Sequence, residues 1–381
     1  MESVIISGIL AFILTFYAIP ILIMVAKNKK LFDEPDDRKI HLNPIPSLGG
    51  VGIFVGFMTA FLLMTEISPV SQGLQYYIAC FLLIFFVGMK DDIMIISPIK
   101  KFVGQLVVAL ILMFKANLLI VTMHGFFGVG AIHPTFSFFL TGLTIVVIMN
   151  AFNLIDGVDA LAGSMGVITS SVFSIFFFIN GDMFFALMGF TFAASLLAFL
   201  IYNYTPARIF MGDTGSMLIG LVNAILVVRF IETSETSTAF PVLGSPAMGF
   251  GILMLPLLDT LRVFGRRMMN GRSPFSPDRN HLHHILLSKG FSHSAVTFII
   301  SISSIIFILF TYLLLPIGTT LVIISQITLF FIGIYILTSV KFKANAFKVI
   351  KNQDMDENEL SKKVRNIFSY TDETEKRKEK N

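Results

Sequence analysis

The chain has 381 residues, of which 55% are hydrophobic and only 14% are charged, and its mean hydropathy is +0.82. Soluble globular domains carry about 25% charged residues, so this composition excludes a soluble globule and a disordered chain. The single cysteine, Cys80, also excludes a disulfide scaffold. The net charge of +4 can be interpreted only from the positions of the basic residues along the chain.

Long apolar runs dominate the sequence up to residue 340. A helix of about 20 apolar residues spans a bilayer, and these runs are continuous, whereas the strands of a closed β-barrel alternate. We therefore predict an all-α integral membrane protein with eleven transmembrane helices. In chain order the predicted spans are 3–26, 48–65, 76–90, 101–121, 136–152, 160–180, 183–203, 214–231, 247–261, 294–315 and 318–340.

The positions of lysine and arginine predict the orientation of these spans. With the N-terminus outside, 26 of the 28 basic residues fall in cytosolic segments, and only Lys115 and Arg229 fall outside. The basic charge is then a topology signal, and we expect no nucleic-acid partner. The chain divides into a polytopic domain, 1–340, and a charged cytosolic tail, 341–381. The cytosolic loops of the domain that matter here are 27–47, 90–101, 150–160, 203–214 and 262–293.

Acidic side chains lie at the cytosolic ends of the predicted helices, where a charge next to lipid costs free energy. Asp91 and Asp92 are adjacent and are followed by Lys100 and Lys101. Two neighbouring carboxylates repel unless a cation or a proton lies between them. This pair predicts a metal-phosphate site, and the alternative is a solvated loop with flanking lysines.

A second polar group occurs in NAFNLIDGVDALAG, where Asn150, Asn153, Asp156 and Asp159 recur at every third position. This spacing predicts neighbouring positions on one helical face. Oxygen ligands of this kind suit Mg²⁺ or Mn²⁺. The alternative is an interhelical hydrogen-bond seam that binds no ligand.

Two further cytosolic segments are polar. Asp213 directly precedes a span, where it suits either a metal site or a helix cap. The loop 262–293 carries arginines, which bind phosphates bidentately, and four of the seven histidines. Membrane topology explains part of this charge, and HLHH alone is a weak zinc signal. Carboxylates and basic residues at one membrane face are typical of metal-assisted phosphoryl transfer between a lipid and a water-soluble substrate.

The order of these motifs resembles that of the bacterial polyprenyl-phosphate N-acetylhexosamine-1-phosphate transferases, over residues 1–340. The matching segments are DRKIH…IPSLGG near 38–50, the acid pair 91–92, NAFNLIDGVDALAG at 150–163, NYTPARIFMGDTGS at 203–216 and SPFSPDRNHLHH at 273–284. The last segment is similar to the branch that uses UDP-GlcNAc, such as the initiators of teichoic acid or O-antigen linkage. Members of this family often form homodimers.

The resemblance implies a role for each matching side chain. Catalytic roles fall to Asp91, Asp92, Asp156, Asp159 and Lys101. Binding of Mg²⁺, with Mn²⁺ as an alternative, falls to Asp213 and Asn153. Substrate binding falls to Lys39, His41, Asn203, Phe210, Arg279, His281, His283 and His284, with the Phe210 ring suited to stacking on uracil.

The implied reaction transfers GlcNAc-1-phosphate from UDP-GlcNAc to undecaprenyl phosphate and releases UMP, at the cytosolic face of a bacterial plasma membrane. A direct attack and a route through an aspartyl phosphate both suit these residues. The alternatives are the same chemistry with another UDP-N-acetylhexosamine, a multi-pass transporter of a phosphorylated metabolite, and a non-catalytic scaffold. Transporters, however, place polar sites near the bilayer midplane, whereas the polar residues here lie at one face.

Overall fold

A computed structural model describes residues 2–29, 45–65, 73–273 and 280–340. Within these ranges the chain forms eleven long helices, one short helix and one β-hairpin. The long helices are α1 (Glu2–Lys29), α2 (Gly49–Met64), α3 (Leu74–Ile93), α4 (Pro98–Phe114), α5 (Pro134–Ile155), α6 (Leu161–Ile179), α7 (Met183–Asn203), α8 (Gly212–Thr233), α9 (Ser245–Met269), α11 (His293–Leu314) and α12 (Thr319–Ser339). The short elements are the antiparallel strands β1 (Thr122–Phe126) and β2 (Val129–Ala131), helix α10 (Leu282–Ser288) and a 3₁₀ turn, Leu315–Ile317.

The long helices coincide with the predicted apolar segments, and the prediction of an all-α multi-pass membrane protein is confirmed. Among the described helices, eight are long and apolar enough to cross a membrane, and α2 is a shorter apolar helix. The predicted segment 101–121 is wrong at its end, because α4 stops at Phe114. Leu118 and Ile120, which extended that apolar run, are instead buried against protein next to β1.

Helix α8 lies at the centre of the bundle. In its most apolar stretch 94% of the residues are buried, against 22% in α1 and 17% in α12. It contacts α2, α3, α5, α6 and α7, and its Asn223 donates a hydrogen bond to Ser170 Oγ on α6 at 3.2 Å. Because protein surrounds α8, its neighbours fix the position of its N-terminus and of Asp213.

The N-terminus of α8 touches the start of α2 and the end of α3. A Cβ on Gly88 of α3 would lie 2.5 Å from the Thr214 Cα, so only glycine permits this approach. Gly49 and Gly50 donate their backbone N–H groups to the carbonyls of Phe210 and Met211, at 2.9 and 2.8 Å. These contacts bring IPSLGG, MGDTGS and the adjacent acids of α3 to one place.

The helix ends predicted to lie outside the cell meet at the other end of the bundle. Arg229 of α8 pairs with Asp182 at 3.0 Å, and Nδ1 of His124 in β1 lies 2.8 Å from Oε2 of Glu235. Thr319, at the start of α12, donates to the His124 carbonyl at 3.2 Å. The predicted inside and outside segments thus gather at separate ends. The assignment of one end to the cytosol stays a prediction from the basic residues.

Candidate active site

A lysine bridges two carboxylates at the N-terminus of α8. Lys101, in the first turn of α4, places Nζ 2.6 Å from Oδ2 of Asp91 and 2.5 Å from Oδ2 of Asp213. Asp91 also accepts a hydrogen bond from the Ile96 N–H at 2.8 Å, which holds the turn after α3. These side chains are 13–24% exposed, so they are largely shielded from bulk water while a ligand can still reach them.

Asp92 binds the N-terminus of α8. Its carboxylate accepts hydrogen bonds from the Asp213 N–H at 2.6 Å, the Thr214 N–H at 3.1 Å and the Thr214 hydroxyl at 2.5 Å. The first N–H groups of a helix have no partner within the helix, and a carboxylate there also interacts favourably with the helix dipole. The two adjacent acids therefore have different contacts: Asp92 caps α8, and Asp91 pairs with Lys101.

The predicted polar ladder of 150–159 is wrong beyond Asn153. Helix α5 ends at Ile155 and the backbone leaves helical geometry at Asp156, so the two acids do not continue the helical face. Asn150 donates to Gln105 Oε1 on α4 at 2.7 Å, which is the interhelical seam that was the alternative interpretation. Asn153 donates to Ser216 Oγ on α8 at 2.9 Å and so lies beside Asp213.

Asp156 lies in a strongly negative environment. Burial, followed by the charges of Asp213, Asp92 and Asp159, raises the pKa of Asp156 from 3.8 to about 8. Neighbouring carboxylates raise a pKa because each added negative charge disfavours ionisation of the next. This loop after α5 therefore holds a proton at neutral pH or attracts a cation.

Asp159 and Asn203 hold loops together. Asp159 is 4% exposed, accepts from the Ala207 N–H at 3.3 Å and lies 3.3 Å from Nδ1 of His293. Asn203 accepts from the Ala160 N–H and donates to the Ile209 carbonyl, both at 2.8 Å. Both side chains thus join 156–160 to 203–211, and these contacts support the site from outside the acid cluster.

Phe210 and the histidines border the same region. The Phe210 side chain is half-buried, and its N–H donates to the Pro46 carbonyl at 2.8 Å. The rings of His281 and His283 are parallel with centroids 5.7 Å apart, and His284 lies 4.3 Å from His283. Burial, together with the neighbouring histidines, lowers the pKa of His283 to about 3, so its ring is neutral. Lys39, His41 and Arg279 lie outside the described residues.

Sequence reasoning missed Asp259 on α9. Its Oδ2 lies 2.8 Å from Nδ1 of His281, and its Oδ1 accepts from Arg262 at 2.7 Å and from the Leu282 N–H at 2.9 Å. The available signal was a lone acid in the apolar run LPLLDTL. An acid within a membrane helix is usually paired with another polar group and has a functional role.

The residues around Asp156 fit a hard divalent cation in donor type and in charge. Carboxylate and amide oxygens suit Mg²⁺. The neighbouring carboxylates that help raise the pKa of Asp156 carry negative charge that a cation would offset. Among the described residues, no three His, Cys, Asp or Glu side chains are already arranged to hold a metal ion. Part of the coordination would therefore come from water or from a bound phosphate, as is usual for Mg²⁺.

An apolar groove runs along α5 and α9, and one of its ends lies near Asp259. Its volume is about 300 Å³ and its lining is almost entirely apolar. Leu261, two residues after Asp259, lines the groove near the site, and Pro246, Met123 and Ile120 line it near the hairpin end. Leu143 and Leu261 are about half exposed, so the groove is open along its side.

Together, the apolar helices and the acid cluster at their ends define a multi-pass membrane protein with a polar site at one end of the bundle. The profile of glycosyl transferase family 4 matches residues 74–231, from α3 to α8. The chain is 32% identical to the decaprenyl-phosphate N-acetylglucosaminephosphotransferase of Mycobacterium leprae (strain TN), over 77% of this chain and 79% of that protein. It is 32% identical to the undecaprenyl-phosphate alpha-N-acetylglucosaminyl 1-phosphate transferase of Yersinia pestis, over 74% and 76%.

A protein with the same description from Escherichia coli O157:H7 is 30% identical over 74% of this chain and 75% of its own length. The chain belongs to glycosyl transferase family 4, and these relatives are polyprenyl-phosphate N-acetylglucosamine phosphotransferases. It is therefore a membrane transferase, and the family expected from the motifs is confirmed.

Proposed function

We propose that this protein transfers GlcNAc-1-phosphate from UDP-GlcNAc to undecaprenyl phosphate and releases UMP, and so initiates a cell-envelope polymer such as teichoic acid or O-antigen. The observation that carries the proposal is the meeting of Asp91, Lys101 and Asp213 at the end of an apolar bundle. The names of the relatives, which specify a polyprenyl phosphate and N-acetylglucosamine, support both substrates. The 26 basic residues in the predicted inside segments favour a cytosolic active site in a bacterial plasma membrane.

The lipid phosphate is the nucleophile in this proposal. Its oxygen attacks the β-phosphorus of UDP-GlcNAc, and the bond from that phosphorus to the bridging oxygen breaks, so UMP leaves with the bridging oxygen. A phosphate monoester has a second pKa of about 6 and is largely dianionic at neutral pH. Removal of a proton by a strong base is then not essential, and positioning and charge provide most of the rate enhancement.

Direct transfer is favoured over an aspartyl-phosphate route by the contacts of the acids. Asp92 accepts three hydrogen bonds from α8, and Asp91 is bound by Lys101 and the Ile96 N–H. A carboxylate that is already bound in this way is a poor nucleophile. Lys101, which contacts Asp91 and Asp213, would bind an incoming phosphate oxygen while Asp91 keeps the ammonium in place.

Magnesium would be held by Asp213 and Asp156, with the amide oxygen of Asn153 as a third protein ligand. When bound, the ion would neutralise negative charge on the diphosphate. Asp92 would act at a distance, because it fixes the backbone of Asp213 through the start of α8. His283 and Asn203 would position the loops on either side of the metal ligands.

The groove along α5 and α9 would hold the start of the polyprenyl chain. Its apolar lining suits a hydrocarbon, and the half-exposed Leu143 would open it toward the bilayer. Leu261 and Asp259 lie one helical turn or less apart, so a chain in the groove would bring its phosphate to the polar end of α9.

The deciding experiment measures UMP release from UDP-GlcNAc by the detergent-solubilised protein with undecaprenyl phosphate. Omission of the lipid and replacement of UDP-GlcNAc by UDP-GalNAc or UDP-glucose are the matched controls. Lipid-dependent UMP release with UDP-GlcNAc is the expected result. Absence of UMP release, together with uptake of a phosphorylated sugar into proteoliposomes, would establish the transporter alternative.

Magnesium binding is expected to strengthen as the pH rises from about 6 to about 9, because Asp156, with a pKa of about 8, must lose its proton before it binds a cation. Above that range the affinity should become constant. Asp156→Asn has no proton to release there, so its affinity should be weaker and less dependent on pH. Calorimetric titration with MgCl₂ at several pH values measures both, and a pH-independent affinity in the wild type would exclude Asp156 as a ligand.

A further inference from the structure

A buried acid in the second half of α9 binds the segment that precedes α10. Asp259 is only 3% exposed, and its carboxylate contacts Arg262, His281 and the Leu282 N–H within 2.9 Å. Arg262 in turn donates to the Asn280 carbonyl at 2.5 Å. One carboxylate thus orders residues 280–282 against α9.

The contact with Asp259 determines which nitrogen of His281 carries a proton. An ionised carboxylate only accepts hydrogen bonds, so Nδ1 of His281 must donate, and Nε2 lies on the other side of the ring. Nε2 of His281 is buried and has no hydrogen-bond partner within the described part of the chain. An unpaired buried nitrogen is costly, and a ligand that bonds to it would remove that cost.

The position of the His281 ring indicates which ligand would bond to Nε2. His281 is parallel to His283, and His283 packs so closely on Gly157 that a Cβ there would collide with the His283 ring. Gly157 follows Asp156, so the histidine pair borders the acid cluster. A ring with its proton on Nδ1 has an acceptor lone pair at Nε2, and a hydroxyl group of a sugar diphosphate bound at that cluster is a matching donor.

We propose that Asp259 is a positioning residue: it fixes the ring and the Nδ1 proton of His281, so that Nε2 is presented as an acceptor to a hydroxyl group of the sugar diphosphate. The inference rests on the transferase function proposed above. Asp259 does not itself touch the substrate, and its effect on turnover passes through His281.

The variant Asp259→Asn tests this proposal with little change in the shape of the side chain. The amide oxygen can still accept from Arg262 and Leu282, which share Oδ1 in the wild type, while the amide N–H₂ now faces His281. Nδ1 of His281 must then become the acceptor. We expect kcat to fall about 100-fold, the upper end of the range for partners that orient a functional histidine, and the ¹⁵N signal of Nδ1 to move from the protonated to the unprotonated position. The variant His281→Gln lacks this signal and so assigns it.

A double-mutant comparison separates positioning from mere stabilisation. In the His281→Gln background, adding Asp259→Asn should cost less than about threefold, because residues that act through one another are not additive. The matched control is Asp182→Asn, which alters a partly buried acid paired with Arg229 at the other end of the bundle and should leave the His281 signal in place. An unmoved ¹⁵N signal in Asp259→Asn, or losses that multiply in the double variant, would overturn the proposal. If the wild type releases no UMP, the proposed function fails, while the ¹⁵N measurement still tests the Asp259–His281 contact itself.

Discussion

Asp213→Ala is expected to lower UMP release by at least about 1,000-fold, which is the scale of removing a principal electrostatic group from an active site. Asp213 lies at the start of the central helix, bound to Lys101 at 2.5 Å and next to Asn153 and Asp156. Without its carboxylate, Lys101 loses one of its two acidic partners and the proposed magnesium site loses a ligand. Transfer and the magnesium dependence of UDP-GlcNAc binding are the two measurements.

Glu232→Ala is a suitable control for Asp213→Ala, because Glu232 lies at the opposite end of α8 and binds the Val121 N–H. It should leave turnover per folded protein within about threefold of the wild type, as for other changes far from reacting groups. Retention of normal magnesium dependence in Asp213→Ala would remove this residue from the metal site.

Asp92→Asn and Asp91→Asn are expected to differ in stability although both lower transfer by at least about 100-fold. An asparagine has one acceptor oxygen where Asp92 uses two to accept from three donors, and its N–H₂ would face a donor at the start of α8. Loss of this cap should cost about 1–3 kcal/mol. In Asp91→Asn the Ile96 contact can remain and Lys101 keeps Asp213 as a partner, so no charge is left unpaired and the cost should be about 1 kcal/mol.

Thermal unfolding in detergent, followed alongside UMP release per folded protein, separates the two acids. The expected result is a clearly lower Tm for Asp92→Asn and a Tm close to the wild type for Asp91→Asn. Equal Tm values in the two variants would show that capping of α8 by Asp92 contributes little to the fold.

The helices could be predicted from the sequence because each apolar run is continuous and long, and the bilayer requires such runs. The sequence did not predict the β1–β2 hairpin because its strands are short. They also follow an apolar stretch that resembles the end of the predicted span 101–121. The prediction of one polar helical face over 150–159 was wrong because the helix ends within that segment. A period of three residues predicts one face only while the helix lasts, and Gly157 marked where α5 would end.

The candidate site could be predicted as a set of residues, because their motifs occur in a recognisable order. The pairings within the set could not be predicted. Lys101 meets Asp213 across 112 positions of sequence, and Asp92 caps a helix 121 positions away. Such contacts depend on how α3, α4 and α8 pack, which no local pattern encodes. Asp259 belongs to the same class, since two of its three partners, His281 and the Leu282 N–H, lie beyond the end of its own helix.

The side opening of the groove between α5 and α9 has a kinetic consequence. An acceptor that enters there arrives by two-dimensional diffusion within the membrane leaflet, without passing through water. The quantity that governs encounter is then its mole fraction among the lipids, and not its amount per volume of solution. Dilution of the acceptor with inert phospholipid, at a fixed bulk quantity of both substrates, should therefore slow turnover.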